Sequence, residues 1–237
     1  MPDPKDNHYF SQHPTSAQRM RKLFESVRAH SMSLQTSSGV FSPDAIDKGT
    51  RVLIENMIIP DSQENMNLLE IGAGYGPLTI WLHKEYNLRH HSISGNPPLP
   101  QIYASEVNDR AVWLLNRNLL ANNCKDVIVL KGDFRDQIDE LKAHGITFKA
   151  IFTNPPLKTG HEVMLELFQG AMDLLSPDGY IQYVHLKKLG APGFLQKLQD
   201  LKPEWYFYIL KKKGGFQVIL ISPIEREFEK EDYGGYF

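Results

Sequence analysis

The chain has 237 residues, with 26 basic and 28 acidic side chains and a formal net charge of −2; that length suits one domain with a sizeable core, alone or with a small extension, and the balance leaves any RNA contact to a local basic patch. A single cysteine, Cys124, excludes a disulfide framework or a cysteine zinc centre within one chain and suits a small packing residue. No apolar run reaches transmembrane length and Met1-Pro2-Asp3-Pro4-Lys5-Asp6 is unlike a secretory signal, so a cytoplasmic protein is expected.

Residues 1–50 read as an N-terminal extension on the substrate side of a core domain at 51–224, with a loosely held tail at 225–237. His8-Tyr9-Phe10-Ser11 is an aromatic patch before Pro14, and Arg19-Met20-Arg21-Lys22 is a short basic cluster. Leu23–Val27 and Ser31–Gln35 fit two short strands around His30. Gly39-Val40-Phe41-Ser42-Pro43 is a turn. Asp44 then opens a helical pattern through Ile46, Val52, Leu53 and Met57, ending before Pro60. Taken singly, Tyr9, Phe10 and Phe41 read as core packing.

The chain is organised around the next stretch. Asn67–Ile71 is an apolar strand carrying Glu70, followed by Gly72-Ala73-Gly74-Tyr75-Gly76 and a helix from about Pro77 to Tyr86. Glycines let a ligand approach the backbone, and the helix start offers unpaired N–H groups, as at the carboxyl end of a parallel strand in nucleotide-type sites. The G-x-G-x-G spacing is neither the dinucleotide fingerprint nor a P-loop. An acid at Glu70 would repel a pyrophosphate; it suits a cofactor with an amino group and no phosphate. Glu70, Gly72, Ala73, Gly74 and Gly76 are therefore candidate cofactor contacts.

Asn87–Pro100 reads as a polar inserted loop; His90-His91 has no further ligands at useful spacing, and no metal is expected. Ile102–Glu106 is the second core strand. Glu106 is placed to accept from the two hydroxyls of a ribose, with Val107 beside it, and removing the insertion returns it to roughly 20 residues from the glycine turn. A helix opens at Asn108-Asp109 and runs to Asn122. Val127–Lys131 is the third strand, with Gly132-Asp133-Phe134 at its end; an acid here commonly meets an adenine amino group in folds of this kind, with an apolar neighbour such as Phe134 against the ring, and Asp133 also suits a helix N-cap. Ile138–His144 is a helix. Lys149–Thr153, the fourth strand, delivers Asn154-Pro155-Pro156-Leu157. The same tetrapeptide at Asn96–Leu99 lies in the polar loop and reads as a chance match. A helix at Val163–Leu175 closes on Ser176-Pro177-Asp178-Gly179. Strand Tyr180–His185, helix Phe194–Leu201, and a hairpin of Trp205–Leu210 and Phe216–Ser222 around Lys211-Lys212-Lys213-Gly214-Gly215 complete the chain. This alternation predicts an α/β fold, a doubly wound sheet of seven strands.

The chemistry centres on Asn154 and Pro155. An exocyclic amine on a nucleobase is a poor nucleophile because its lone pair is delocalised. The Asn154 side-chain oxygen and the Pro155 carbonyl can each accept one N–H, turning the lone pair toward an electrophilic methyl. Pro155 and Pro156 remove competing donors and stiffen the turn. Catalysis is then positioning and electrostatics. Leu157 would cover the target ring, with Tyr9, Phe10 or Phe41 as an aromatic platform.

Glu70-x-Gly72-x-Gly74-x-Gly76 resembles the first motif of the class I S-adenosylmethionine (AdoMet) methyltransferases. With His8-Tyr9-Phe10-Ser11 and Pro14, Gly39-Val40-Phe41-Ser42, Asp47-Lys48-Gly49-Thr50, Leu69–Gly76, Asn154–Leu157 with Gly160, and Gly214-Gly215-Phe216, the chain resembles the small-subunit ribosomal RNA guanine-N2 methyltransferase C family in its compact, archaeal-type form. The resemblance spans nearly the whole chain in order. It implies a class I methyltransferase fold, AdoMet as cofactor, and N2-methylguanosine in ribosomal RNA as product. Ala73 stands where the family often has cysteine, and the second, degenerate domain copy of the bacterial enzymes has no counterpart in this sequence. Three other targets fit the same amide-holding logic: a protein glutamine side chain, adenine N6, and guanosine in transfer RNA. A non-catalytic RNA-binding protein is the reading from another class. For an RNA surface, Arg19, Arg21, Lys22, Lys158, Lys187, Lys188 and Lys211–Lys213 are expected to line one rim.

Overall fold

The computed structural model describes residues 12–14 and 17–228. A separate two-stranded antiparallel sheet comes first, β1 (Met20–Val27) and β2 (His30–Ser37), followed by α1 (Lys48–Asn56). The alternating core then runs β3 (Asn67–Ile71), α2 (Pro77–Ser92), β4 (Gln101–Glu106), α3 (Asp109–Ala121), β5 (Val127–Lys131), α4 (Phe134–Ala143), β6 (Phe148–Thr153), α5 (His161–Asp173), β7 (Leu175–Leu186), α6 (Ala191–Leu201), β8 (Tyr206–Lys213) and β9 (Phe216–Ser222). The seven-stranded sheet has the order β5-β4-β3-β6-β7-β9-β8, and β9 runs antiparallel to both neighbours. Among the described residues no helix is long and apolar enough to cross a membrane.

The chain builds outward from β3 in one direction, through β4 and β5, then returns to place β6 on the other side of β3. Strand order therefore reverses between β3 and β6, and in open α/β sheets the ligand crevice lies outside the carboxyl ends at such a switch. Ile71 pairs with Thr153, so the glycine turn and Asn154 leave adjacent strands side by side. The Thr153 hydroxyl donates to the Ile71 carbonyl at 2.8 Å.

Both sheet faces are covered, as a parallel sheet requires. One face packs Leu53, Ile54, Trp81 and Leu115 from α1–α3; the other packs Leu141, Phe168 and Phe194 from α4–α6. The hairpin joins the first layer through Met32 and Leu34. Asn118 on α3 treats β2 as a neighbouring strand would. Its side chain accepts from the Gln35 amide at 2.7 Å and donates to the Gln35 carbonyl at 2.9 Å, and it also donates to the Tyr75 carbonyl at 2.8 Å. Cys124 is buried, and burial raises its thiol pKa to about 11, as a packing role requires.

Several predicted boundaries move. The loop assigned to Asn87–Pro100 is helical as far as Ser92: Asn87 donates back to the His83 carbonyl, Arg89 pairs with Glu85 one turn earlier, and no breaker intervenes. α1 begins at Lys48 rather than Asp44, because Asp47 caps it. α4 begins at Phe134 rather than Ile138 under its Asp133 cap, and α6 begins at Ala191, with Pro192 in the first turn. α5 ends at Asp173, and β7 takes in Ser176–Gly179. β8 extends through Lys211–Lys213, leaving only Gly214-Gly215, both at positive φ, as the turn. The predicted basic rim is divided: Arg21 pairs with Asp44, and Lys213 pairs with Glu55 at 2.8 Å.

Candidate active site

Three adjoining cavities share Gly72 and follow the carboxyl ends of β3, β4 and β6. One, of about 100 Å³, is lined by Phe41, Gly74, Val107, Ala111 and Asn154-Pro155-Pro156. The second, about 300 Å³, lies between Ser105–Val107 and Gly132–Arg135. The third, about 30 Å³, reaches Asp47, Thr50, Glu70 and Pro77. A larger cavity, about 610 Å³, opens at the other pole, beside Asn67 and Gln101, where β3 and β4 begin. It carries none of the candidate residues. Leu99, from the duplicate Asn96–Leu99 tetrapeptide, lines it.

The glycine turn is held by β4, whose Ser105 carbonyl accepts from the amides of Gly72 and Ala73 at 2.9 and 3.0 Å. The Ala73 amide is thus engaged within the protein. Gly72 has φ +74, and a side chain there would meet nothing within 4 Å: it would project into the open cavity. Gly76 is constrained for another reason. At φ +97, a Cβ would sit 2.5 Å from Leu115 Cδ1. The Tyr75 hydroxyl donates to the carbonyls of Ser42 and Ala45 at 3.2 and 3.0 Å, which ties the turn to the segment carrying Phe41.

Glu106 is buried. One carboxylate oxygen accepts from Gly74 N at 2.7 Å and the other from Asn108 N at 2.9 Å. Burial raises its pKa, against the opposing pull of those amides. Glu70 is also buried and accepts from the hydroxyl and backbone of Thr79, in the first turn of α2. Desolvation pushes its pKa up to about 8, and nearby Glu106 adds to this. A carboxyl so placed gains most from a cation brought beside it.

Asp133 caps α4 through the Arg135 amide, and Arg135 also grips its carboxylate through Nε at 3.0 Å and a terminal nitrogen at 2.7 Å. Arg135 holds the Asp133 carboxyl below the usual range and reaches on to Glu166 at 2.7 Å, over the cavity that Phe134 also lines.

Asn154 is clamped from the N-terminus of α1. Its Nδ2 donates to Asp47 Oδ2 at 2.9 Å and to Thr50 Oγ1 at 3.0 Å. The same Asp47 oxygen caps α1 by accepting from Gly49 N at 2.7 Å and Thr50 N at 3.2 Å. A carboxylate only accepts, so it fixes which end of the amide faces it. Both amide hydrogens are taken, and the Asn154 oxygen is the end left for the cavity. Asp47 and Thr50 were absent from the site residues drawn from the sequence. Their signal was the Asp-x-Gly-Thr start of a helical run, which announces a cap but not its second task.

After Asn154 the chain bends at Pro156 (φ −75, ψ 76), an inverse γ-turn in which the Pro155 carbonyl accepts from Leu157 N at 2.8 Å. One lone pair of that carbonyl is therefore already used. Leu157 packs, partly buried, against the second core layer and lines none of the three cavities. Lys158 lies in the same short helical turn. Tyr9 and Phe10 fall outside the described residues.

The profile of the methyltransferase small domain family matches residues 31–219. An uncharacterized Bacillus subtilis protein, YbxB, is 30% identical over 212 residues, covering 90% of this chain and 96% of its own length. Ribosomal RNA small subunit methyltransferase C of Photorhabdus laumondii is 28% identical over 178 residues, 73% of this chain but 46% of the relative. The fold is that of the T. thermophilus 16S rRNA N2 methyltransferase RsmC, solved with AdoMet and guanosine: TM-score 0.65 and 21% identity, covering 88% of this chain and 52% of that one. The chain spans about half the length of these two methyltransferases. It belongs to the methyltransferase small domain family and is an AdoMet-dependent methyltransferase.

Proposed function

We propose that the protein methylates the exocyclic N2 of guanosine in RNA, with small-subunit ribosomal RNA as the substrate and the cytoplasm as its location. The observation that carries this reading is the clamp on Asn154: both amide hydrogens are bound to Asp47 and Thr50, so a carbonyl-type oxygen faces the cavity as an acceptor for an N–H of an amino group. With the remaining lone pair of the Pro155 carbonyl, that oxygen makes two acceptors, which an amino group can fill and an oxygen nucleophile with one hydrogen, or a carbon, cannot. The name of the Photorhabdus relative supports small-subunit ribosomal RNA, and that of the solved structure, an N2 methyltransferase bound to guanosine, supports guanine N2 over other amino groups.

The residues fit AdoMet. Gly72 keeps the cavity floor free of a side chain, buried Glu106 suits the ribose hydroxyls, buried Glu70 suits the amino group, and Asp133 with Phe134 suits the adenine. Bound AdoMet supplies an electrophilic methyl on a sulfonium. The chain's own work is to hold the acceptor nitrogen. Asn154 accepts one N–H, the Pro155 carbonyl accepts the other through its second lone pair, and the base plane is turned so that the nitrogen lone pair leaves conjugation. As the N–CH3 bond forms, the methyl's bond to the sulfonium would break, and the amino nitrogen, left cationic between two neutral acceptors, would lose one proton to solvent. Val107, Pro156 and Phe41 give the cavity apolar walls that limit water.

The test is methyl transfer from labelled AdoMet to unmodified small-subunit RNA, assembled subunits, transfer RNA and a protein fraction, followed by nucleoside analysis. Label in N2-methylguanosine, reduced roughly 10²- to 10³-fold by Asn154→Ala as for loss of one oriented polar group, is expected. Label in protein or in N6-methyladenosine refutes the substrate.

A further inference from the structure

The outward face of the β1–β2 hairpin takes no part in the site described above. Side chains alternate along the pair: Met32 and Leu34 enter the core, while Lys22, Phe24 and Ser26 point outward opposite Gln35, Ser33 and Ser31. Phe24 is 81% exposed on a paired strand. Its neighbours on that face are small, a Ser26–Ser31 hydroxyl pair at 2.8 Å and Ser33 across the ladder, so nothing bulky covers the ring. Beyond β2 lies α3. Arg117 Nε donates to Gln35 Oε1 at 3.0 Å, and its guanidinium lies over the Trp113 ring at 4.8 Å. Lys22, Gln35, Arg117 and Trp113 thus run from β1 across β2 to α3. The outward hairpin positions carry no acid, and α3 has none after Asp109. Two elements of this run lead to the cavity: β2 continues to Phe41, and α3 begins next to Val107 and carries Ala111, all three of which line it.

We propose that this face holds a single-stranded stretch of the RNA substrate flanking the target nucleotide, with a base stacked on Phe24 and phosphates at Lys22 and Arg117. The inference rests on the RNA reading of the site. Charge and chemistry favour this occupant. In a chain of net charge −2, the outward hairpin positions carry Lys22 and no acid, and Asp109, the acid one turn before Trp113 on α3, is paired with Lys131 at 2.9 Å and His13 at 2.7 Å. On the hairpin Phe24 is surrounded by hydroxyls, and across β2 the Arg117 guanidinium lies over Trp113, which suits a flat base with a charged backbone better than an apolar protein surface. Exposed aromatics on a sheet beside basic groups are a recurring platform for unpaired bases, and stacking there tolerates any sequence.

The test uses the full chain with AdoMet and unmodified small-subunit RNA. Phe24→Ala is expected to raise KM for RNA about tenfold, with kcat within about twofold, as for loss of one stacked base; Phe24→Tyr restores it. Lys22→Ala lowers the slope of log KM against log salt by about one. AdoMet affinity and Tm stay at the wild-type values in all three. If wild type forms N2-methylguanosine and Phe24→Ala has unchanged KM, the face is refuted while the site reading stands. If wild type transfers no methyl to RNA, the site reading fails and the face with it. Self-association lost in Phe24→Ala, with KM unchanged, gives the face to a second copy and overturns the RNA assignment.

Discussion

Glu70→Gln should make the apoprotein more stable and bind AdoMet worse. Burial raises the Glu70 pKa from 4.5 to about 8, so between these values the folded chain holds a proton that the unfolded chain has released. Stability therefore falls as pH rises through that window. A shift of this size corresponds to about 3–5 kcal/mol lost between pH 4.5 and 8. The substituted amide would keep the acceptor for Thr79 and has nothing to ionise. Wild type and variant should melt alike at pH 5; at pH 8 the variant should gain about 3 kcal/mol, or roughly 6–12 °C for a domain of this size. AdoMet reverses the order. At pH 6–7 its amino group is protonated, and pairing with it draws the Glu70 pKa down, so binding releases a proton. Calorimetry in buffers of different ionisation enthalpy counts that proton, which the variant should lack while binding roughly tenfold more weakly. Equal loss of stability from pH 5 to 8 in both proteins would refute the cost of burial. Proton release and affinity unchanged by the substitution would refute the pairing.

Asp47→Ser keeps an N-cap but cannot reach Asn154, and Thr50→Val keeps the side-chain shape without the acceptor; each should lower kcat about 10- to 100-fold at saturating AdoMet, measured by steady-state transfer. Asn118→Ala strips partners from the Gln35 amide and carbonyl and the Tyr75 carbonyl, and should cost about 3 kcal/mol or more by denaturant unfolding. Gly72→Ala and Gly76→Ala should separate: the first blocks AdoMet, seen in the binding isotherm, with a stability loss of about 1 kcal/mol. The second meets Leu115 and should cost about 2–3 kcal/mol in unfolding before binding is affected.

Most of the sheet was legible because its strands are short apolar runs punctuated by glycine, proline and capping acids, signals that act over a few residues. Where boundaries moved, the deciding contacts were again local but read differently. Asn87 bonds back along its own helix instead of opening a loop, and Asp133 and Asp47 each start a helix at the next residue. A polar residue is ambiguous in this way: the same side chain can leave a helix or cap one, and the choice depends on what packs behind it.

The clamp on Asn154 is another matter. Asp47 and Asn154 are 107 positions apart, and they meet because α1 closes over the switch point between β3 and β6. An N-cap aspartate normally satisfies its helix with one oxygen. Asp47 does so with Oδ2 and uses that same oxygen to orient Asn154. Start of helix and orientation of the acceptor are therefore coupled, and fraying α1 would free the Asn154 amide to turn its N–H groups into the cavity, where they would repel an amino group instead of accepting from it. Since α1 is also anchored on β7 through Ile58, whose carbonyl accepts from Tyr180 at 3.1 Å and whose amide donates to Gln182 at 2.9 Å just past the helix end, the polarity of the site depends on packing against a strand beyond the one that delivers the residue performing the chemistry.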